Sequence, residues 1–128
     1  MTNRELRERG IAIRKTLWPD RESRIAVFRA LDPEYAEFIL ESAYGGVYGD
    51  PTIDLRTRSL ITCAVLTALG RERGLESHLR GALNIGVTSA ALIAMCKQVA
   101  LYAGFPVATD AFRILKAVLD ERRAKEET

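Results

Sequence analysis

Between Gly86 and Thr109 the chain carries one formal charge, Lys97. A second stretch, Leu60 to Leu69, places Leu60, Ile61, Cys63, Ala64, Val65, Leu66, Ala68 and Leu69 on nearly every side of a helix. Helices of that kind have to be covered all round. At 128 residues the chain offers the core of a single domain, spanning residues 1–128, and two such helices exceed what one core can cover. The surplus predicts a homo-oligomer whose subunits bury part of this surface between them. A bilayer is the other possible cover, and the later stretch is long enough by residue count. Lys97 and Gln98 fall at its centre, where a charge is costly, and Gly104 and Pro106 break it near the end. A buried helix followed by a sharp turn is therefore expected, with no membrane partner.

The remaining pattern is helical throughout, with no convincing strand. Thr2 and Glu5 have the spacing of a capping box and open a helix that runs to about Leu17, ended by Trp18-Pro19-Asp20. A second helix is expected from about Arg21 to Ala30, with Ile25 and Phe28 inward. Asp32 before Pro33 is a cap followed by a first-turn proline, and starts a third helix through Tyr35, Phe38, Ile39 and Ser42. Gly45-Gly46-Val47-Tyr48-Gly49-Asp50-Pro51 has the composition of a loop, and a mobile flap over a pocket is the expectation there. It lacks Gly-Lys-Ser/Thr and follows a helix, so it is not a phosphate loop. Asp54 caps a fourth helix that stops at Gly70, and a fifth runs from about Glu72 to Ile85 before Gly86. Thr88 caps a sixth, Ser89 to Ala103. Pro106 opens a seventh with Ala108, Ala111, Phe112, Leu115 and Leu119 inward, and the charged tail from Glu121 to Thr128 is expected to fray.

Charge excludes some partners. Nineteen Lys and Arg against 17 Asp and Glu leave +2, too small a bias for nucleic acid. Cys63 and Cys96 each lie in apolar surroundings and read as buried reduced thiols, which fits a cytoplasmic protein. The opening residues mix Arg and Glu and do not form a secretory leader.

His78 is the only histidine. On a helix it shares a face with Leu75, Ala82 and Ile85, so it is either a satisfied core residue or the floor of a reaction pocket.

Several blocks carry a resemblance. Arg9-Gly10-Ile11-Ala12-Ile13-Arg14-Lys15, Asp54-Leu55-Arg56-Thr57-Arg58-Ser59-Leu60 and Ala68-Leu69-Gly70-Arg71 are followed by His78-Leu79-Arg80-Gly81-Ala82-Leu83-Asn84, Gly86-Val87-Thr88 and Tyr102-Ala103-Gly104-Phe105-Pro106. In order and spacing they resemble the carboxymuconolactone decarboxylases. The resemblance implies an all-α, AhpD-like helical domain of six to seven helices, assembled as a trimer or hexamer. It also implies loss of carbon dioxide from a carboxylated lactone such as 4-carboxymuconolactone, in the beta-ketoadipate route of aromatic-acid catabolism. The related peroxidases carry cysteines seven and four residues before the helix histidine; here those positions are Arg71 and Gly74, which excludes that thiol chemistry. The family's Gly-Glu-Val-Trp reads Gly45-Gly46-Val47-Tyr48, and acidic residues common after the Thr88 cap are Ala91 and Ala94.

A carboxylate conjugated with an unsaturated lactone carbonyl can leave as carbon dioxide with no metal or cofactor. The protein has only to anchor the acid, stabilise the oxyanion and protonate carbon. His78 is the candidate proton donor or oxyanion partner. Arg58 and Arg80 are candidates for holding substrate carboxylates, since guanidinium offers paired donors. Arg80 lies about 200° around the helix from His78, so a neighbouring helix or subunit has to bring it in. Tyr44, Tyr48 and Tyr102 offer hydroxyls, and Gln98 a hydrogen bond to a carbonyl. Plainer readings stand beside these: a core histidine, an Arg58 ion pair with Asp54, a solvated or intersubunit Arg80, and a snorkelling Lys97. An isomerase or hydrolase using the same pocket, or a non-catalytic oligomer binding a small molecule, are the alternatives to a small-acid decarboxylase.

Overall fold

The computed structural model describes residues 1–20 and 23–127. They form seven α-helices and one π-helix, with no strand among the described residues. Contacts divide the chain into two compact units, Met1–Leu55 and Arg56–Thr128.

The first unit holds α1 (Asn3–Leu17), α2 (Ser23–Leu31), α3 (Pro33–Phe38) and a π-helix (Ile39–Tyr48). The expected capping box is present: the Glu5 amide donates to Thr2 Oγ1 at 3.1 Å, and the Thr2 amide to Glu5 Oε2 at 3.0 Å. Asp32 caps α3 through the Glu34 amide, 3.2 Å away, with Pro33 in the first turn. α2 starts at Ser23; Arg21, where its beginning was expected, lies outside the described residues.

The Gly45–Pro51 stretch departs from expectation. It is not a loop as far as Tyr48, because the backbone continues directly from α3 as a π-helix. Its glycines serve close approach rather than turning. A Cβ at Gly45 would overlap the Leu6 carbonyl, and one at Gly10 would overlap the Leu40 carbonyl. α1 and the π-helix therefore touch backbone to backbone, which only glycine permits. Arg9 Nε then donates to the Gly45 carbonyl at 2.7 Å.

The second unit holds α4 (Leu55–Leu69), α5 (Glu72–Asn84), α6 (Ser89–Ala103) and α7 (Phe105–Glu126). Gly70 (φ 69°), Gly86 (φ 94°) and Gly104 (φ 103°) end the first three of these in left-handed conformations that disfavour other residues. Thr88 caps α6, accepting from the Ala91 amide at 3.1 Å. The core gathers Cys63, Leu75, Leu79, Leu92, Cys96 and Leu115, one or two from each helix.

α4 is not covered all round by its own chain, in keeping with the surplus of apolar surface read from the sequence. It buries a stripe of Ser59, Cys63 and Thr67 at intervals of four, while Ile61 (47%), Val65 (49%) and Leu69 (66%) stay exposed on other faces. On α7 the inner stripe takes Val118, whereas Phe112 is 39% exposed, and the helix continues through the tail to Glu126 instead of fraying at Glu121. Arg122, which donates to Asn84 Oδ1 at 2.9 Å, and Glu121 fasten that end to α5. Among the described residues no helix is long and apolar enough to cross a membrane.

Candidate functional site

α5 exists as an amphipathic helix because its apolar residues recur every three to four positions, and its innermost members, Leu75, Leu79 and Ala82, are buried. His78 sits at the edge of that stripe and is half-buried. The imidazole is neither sealed in the core nor fully in water. That position suits a group that must exchange protons yet work in reduced dielectric.

Arg80, two residues on, is not a solvated charge. Its side chain is 12% exposed, and its guanidinium pairs with Glu76 at 2.8 Å and Glu121 at 2.6 Å. Burial works against its charge, but the hydrogen bonds it donates to Glu76 and Glu121 outweigh that and raise its pKa. The Arg80 hydrogen bond in turn holds the Glu121 carboxyl below its usual range. Sequence reasoning missed both carboxylates: Glu76 had the readable i, i+4 spacing, whereas Glu121 is supplied from α7.

Arg58 is half-buried on α4, directly before the fully buried Ser59. Ser59 Oγ has no hydrogen-bond partner among the described residues. Arg56, on the same turn, donates through Nε to the Ile85 carbonyl at 2.9 Å and so ties the start of α4 to the end of α5.

Gln98 and Tyr102 lie together on α6 and line a groove of about 630 Å³ between α4 and α6. Its other walls are aliphatic or thioether side chains, among them Leu60, Val65 and Met95, and no charged side chain lines it among the described residues. Ala91 and Ala94 belong to this wall, so the acids absent from the sequence at these positions are absent from the groove. His78, Arg58 and Arg80 are not among its lining residues.

Tyr44 and Tyr48 belong to the first unit, on the π-helix, with ring centroids 5.0 Å apart. Tyr44 is 8% exposed and also meets Trp18 edge-on at 6.0 Å. The structure therefore brings together Gln98 with Tyr102 within the second unit, and Tyr44 with Tyr48 within the first.

Neither thiol is available as a nucleophile. Burial, reinforced by Cys96, pushes the Cys63 pKa up to about 12, and burial also raises that of Cys96.

With this geometry in hand, residues 33–117 match the family model described as the carboxymuconolactone decarboxylase family. The chain belongs to that family. Its all-helical architecture agrees with what the sequence resemblance implied. Among curated proteins, the chain is 40% identical over 88 residues to the 4-carboxymuconolactone decarboxylase of Acinetobacter baylyi, covering 69% of this chain and 66% of that relative. It is 32% identical over 87 residues to a nitrosuccinic acid decarboxylase of Metarhizium robertsii, covering 66% of this chain and 59% of the relative. The matches thus span less than two thirds of either relative's length.

Proposed function

We propose that the chain is a carboxy-lyase that removes carbon dioxide from a small organic acid without a metal or organic cofactor. One observation carries the reading: two relatives, each matched over about two thirds of this chain, are both named decarboxylases. Their named substrates differ in skeleton but share a chemistry. In each, a carboxylate can leave with its bonding electrons drawn into a neighbouring acceptor, a conjugated carbonyl in one and a nitro group in the other.

The preferred substrate is 4-carboxymuconolactone, or a close relative of it in aromatic-acid catabolism. The bond between the carboxylate carbon and the ring breaks, carbon dioxide departs, and the electron pair passes through the conjugated system to the lactone carbonyl oxygen, giving a dienolate. The His78 imidazolium then delivers a proton to carbon, and water restores it. Arg58 and Arg80 are the candidates for anchoring the substrate carboxylate, and the Arg80 guanidinium also serves Glu76 and Glu121. Tyr44, Tyr48, Gln98 and Tyr102 remain candidates for orienting the substrate. A second reading, a divergent member acting on another small acid or lactone, rests on the replacement of the family's acids at Gly46, Ala91 and Ala94.

The working form is a cytoplasmic homo-oligomer, a trimer or hexamer. The open faces of α4 and α6, with Ile61, Val65 and Leu101 exposed, support that assembly.

The test is carbon dioxide release from 4-carboxymuconolactone and from nitrosuccinate, comparing the native chain with His78→Ala. Loss of a proton donor costs about a hundredfold or more in turnover, with helix content and sedimentation mass unchanged. Turnover that survives in His78→Ala removes the histidine from the mechanism. Release from neither acid overturns the carboxy-lyase reading, and a sedimentation mass of one chain at micromolar concentration overturns the oligomer.

A further inference from the structure

The first unit contains a recess of about 540 Å³ that the decarboxylation chemistry does not use. Its size falls within the roughly 300–1,000 Å³ of small-ligand pockets. One face of α1 supplies Arg7, Ile11, Arg14 and Lys15, which recur at helical spacing, and Trp18 follows at its C-cap; α2 supplies Ile25 and Arg29, and Leu40 closes the apolar floor. Four cations thus converge on an apolar, aromatic surface, and among the described residues Asp20 is the one carboxylate on the wall. Arg7 and Arg29 share Glu37, which offsets part of their charge. Arg14 and Lys15 pair with no carboxylate among the described residues. Arg14 is instead held over the rings of Trp18 and Tyr44, 5.0 and 4.8 Å from their centroids. Such stacking fixes a guanidinium without neutralising it. Like charges gathered around an apolar recess are unfavourable until an anion joins them.

We infer that this recess binds a small ring-bearing carboxylate, its flat body on Trp18 and Ile11 and its carboxylate between Arg14 and Lys15. The apolar floor favours an organic anion over inorganic phosphate, which would leave that surface wet. The site stands apart from the decarboxylase reading and survives its failure.

Trp18 is the chain's single tryptophan, so its emission reports on this recess alone. Benzoate, its uncharged counterpart benzamide, and inorganic phosphate are titrated into the full chain, following Trp18 fluorescence and heat of binding. Benzoate changes the emission saturably, while benzamide and phosphate bind at least about tenfold more weakly. Arg14→Gln weakens benzoate by about tenfold or more. Lys15→Gln, at an exposed position that leaves the stacking intact, weakens it several-fold, so the inference stays testable if the Arg14 variant misfolds. His78→Ala leaves benzoate binding unchanged. Equal binding of benzamide or phosphate, or Lys15→Gln indistinguishable from the native chain, overturns the inference. So does loss of the Trp18 signal in His78→Ala, which would assign the anion to the decarboxylase site.

Discussion

Replacing Gly45 with alanine adds one carbon where the structure has no room for it. The new Cβ falls inside the carbonyl of Leu6, and the obstacle is helix backbone, which cannot rotate away as a side chain would. Overpacking a tight contact costs about 1–3 kcal/mol, and the upper end applies because α1 and the π-helix must separate as bodies. Glycine to alanine inside a helix returns about 1 kcal/mol of propensity. The net is a loss of about 2 kcal/mol, or a fall of about 1 M in the urea midpoint if the slope is near 2 kcal/mol per molar. Gly74→Ala is the control: there the added carbon meets only the mobile Leu66 methyls, at 3.4 and 3.5 Å, and the propensity gain dominates. Gly10→Ala repeats the clash from the other helix, against Leu40. Once the helices have moved apart for one alanine the second meets less resistance, so the double variant costs less than the sum of the singles. Urea unfolding followed by Trp18 emission, which reports on the first unit, measures the two single variants there and the double, and far-UV circular dichroism, which reports on helix in both units, measures Gly74→Ala. A Gly45→Ala midpoint equal to or above the native one refutes the backbone-contact argument.

Two further outcomes follow from the second unit. Cys63 titrates near 9 when unfolded but only at about 12 when buried, so its neutral form is favoured by folding. That stability is complete below pH 9 and is lost as the pH rises towards 12; a disulfide-exchange reagent at pH 8 should label the native thiol far more slowly than the urea-unfolded one, and equal rates would contradict its burial. Glu121→Gln removes one partner of Arg80 but leaves Glu76. Because Glu121 is 39% exposed, the cost is about 1 kcal/mol or less. The contribution of the Glu121 carboxylate is present above its ordinary pKa of 4.5 and disappears as the pH falls below it; thermal melts of native and variant that differ at pH 7 and coincide at pH 3 are the expected result.

Much of the fold was legible because it is settled within one helical turn. Thr2 with Glu5, Asp32 with Pro33, and Thr88 each satisfy amides a few residues away, and Gly70 and Gly86 turn the chain where no side chain is tolerated. The inward edge of His78 was legible for the same reason, since the stripe of Leu75 and Ala82 is fixed by helical spacing. The glycines of Gly45–Gly49 look the same whether they turn a loop or admit another backbone, and only the approach of α1 selects the second use. Likewise, α4 carries apolar residues on every face, and which of them are buried depends on where α5, α6 and α7 fall. Arg80 could have faced solvent, substrate or a partner until α7 brought Glu121 to it. Local sequence settles where helices begin and end, because caps and backbone dihedrals involve near neighbours. Pairing across tens of residues is settled by packing, and that is what fixes the charges available to this protein's sites.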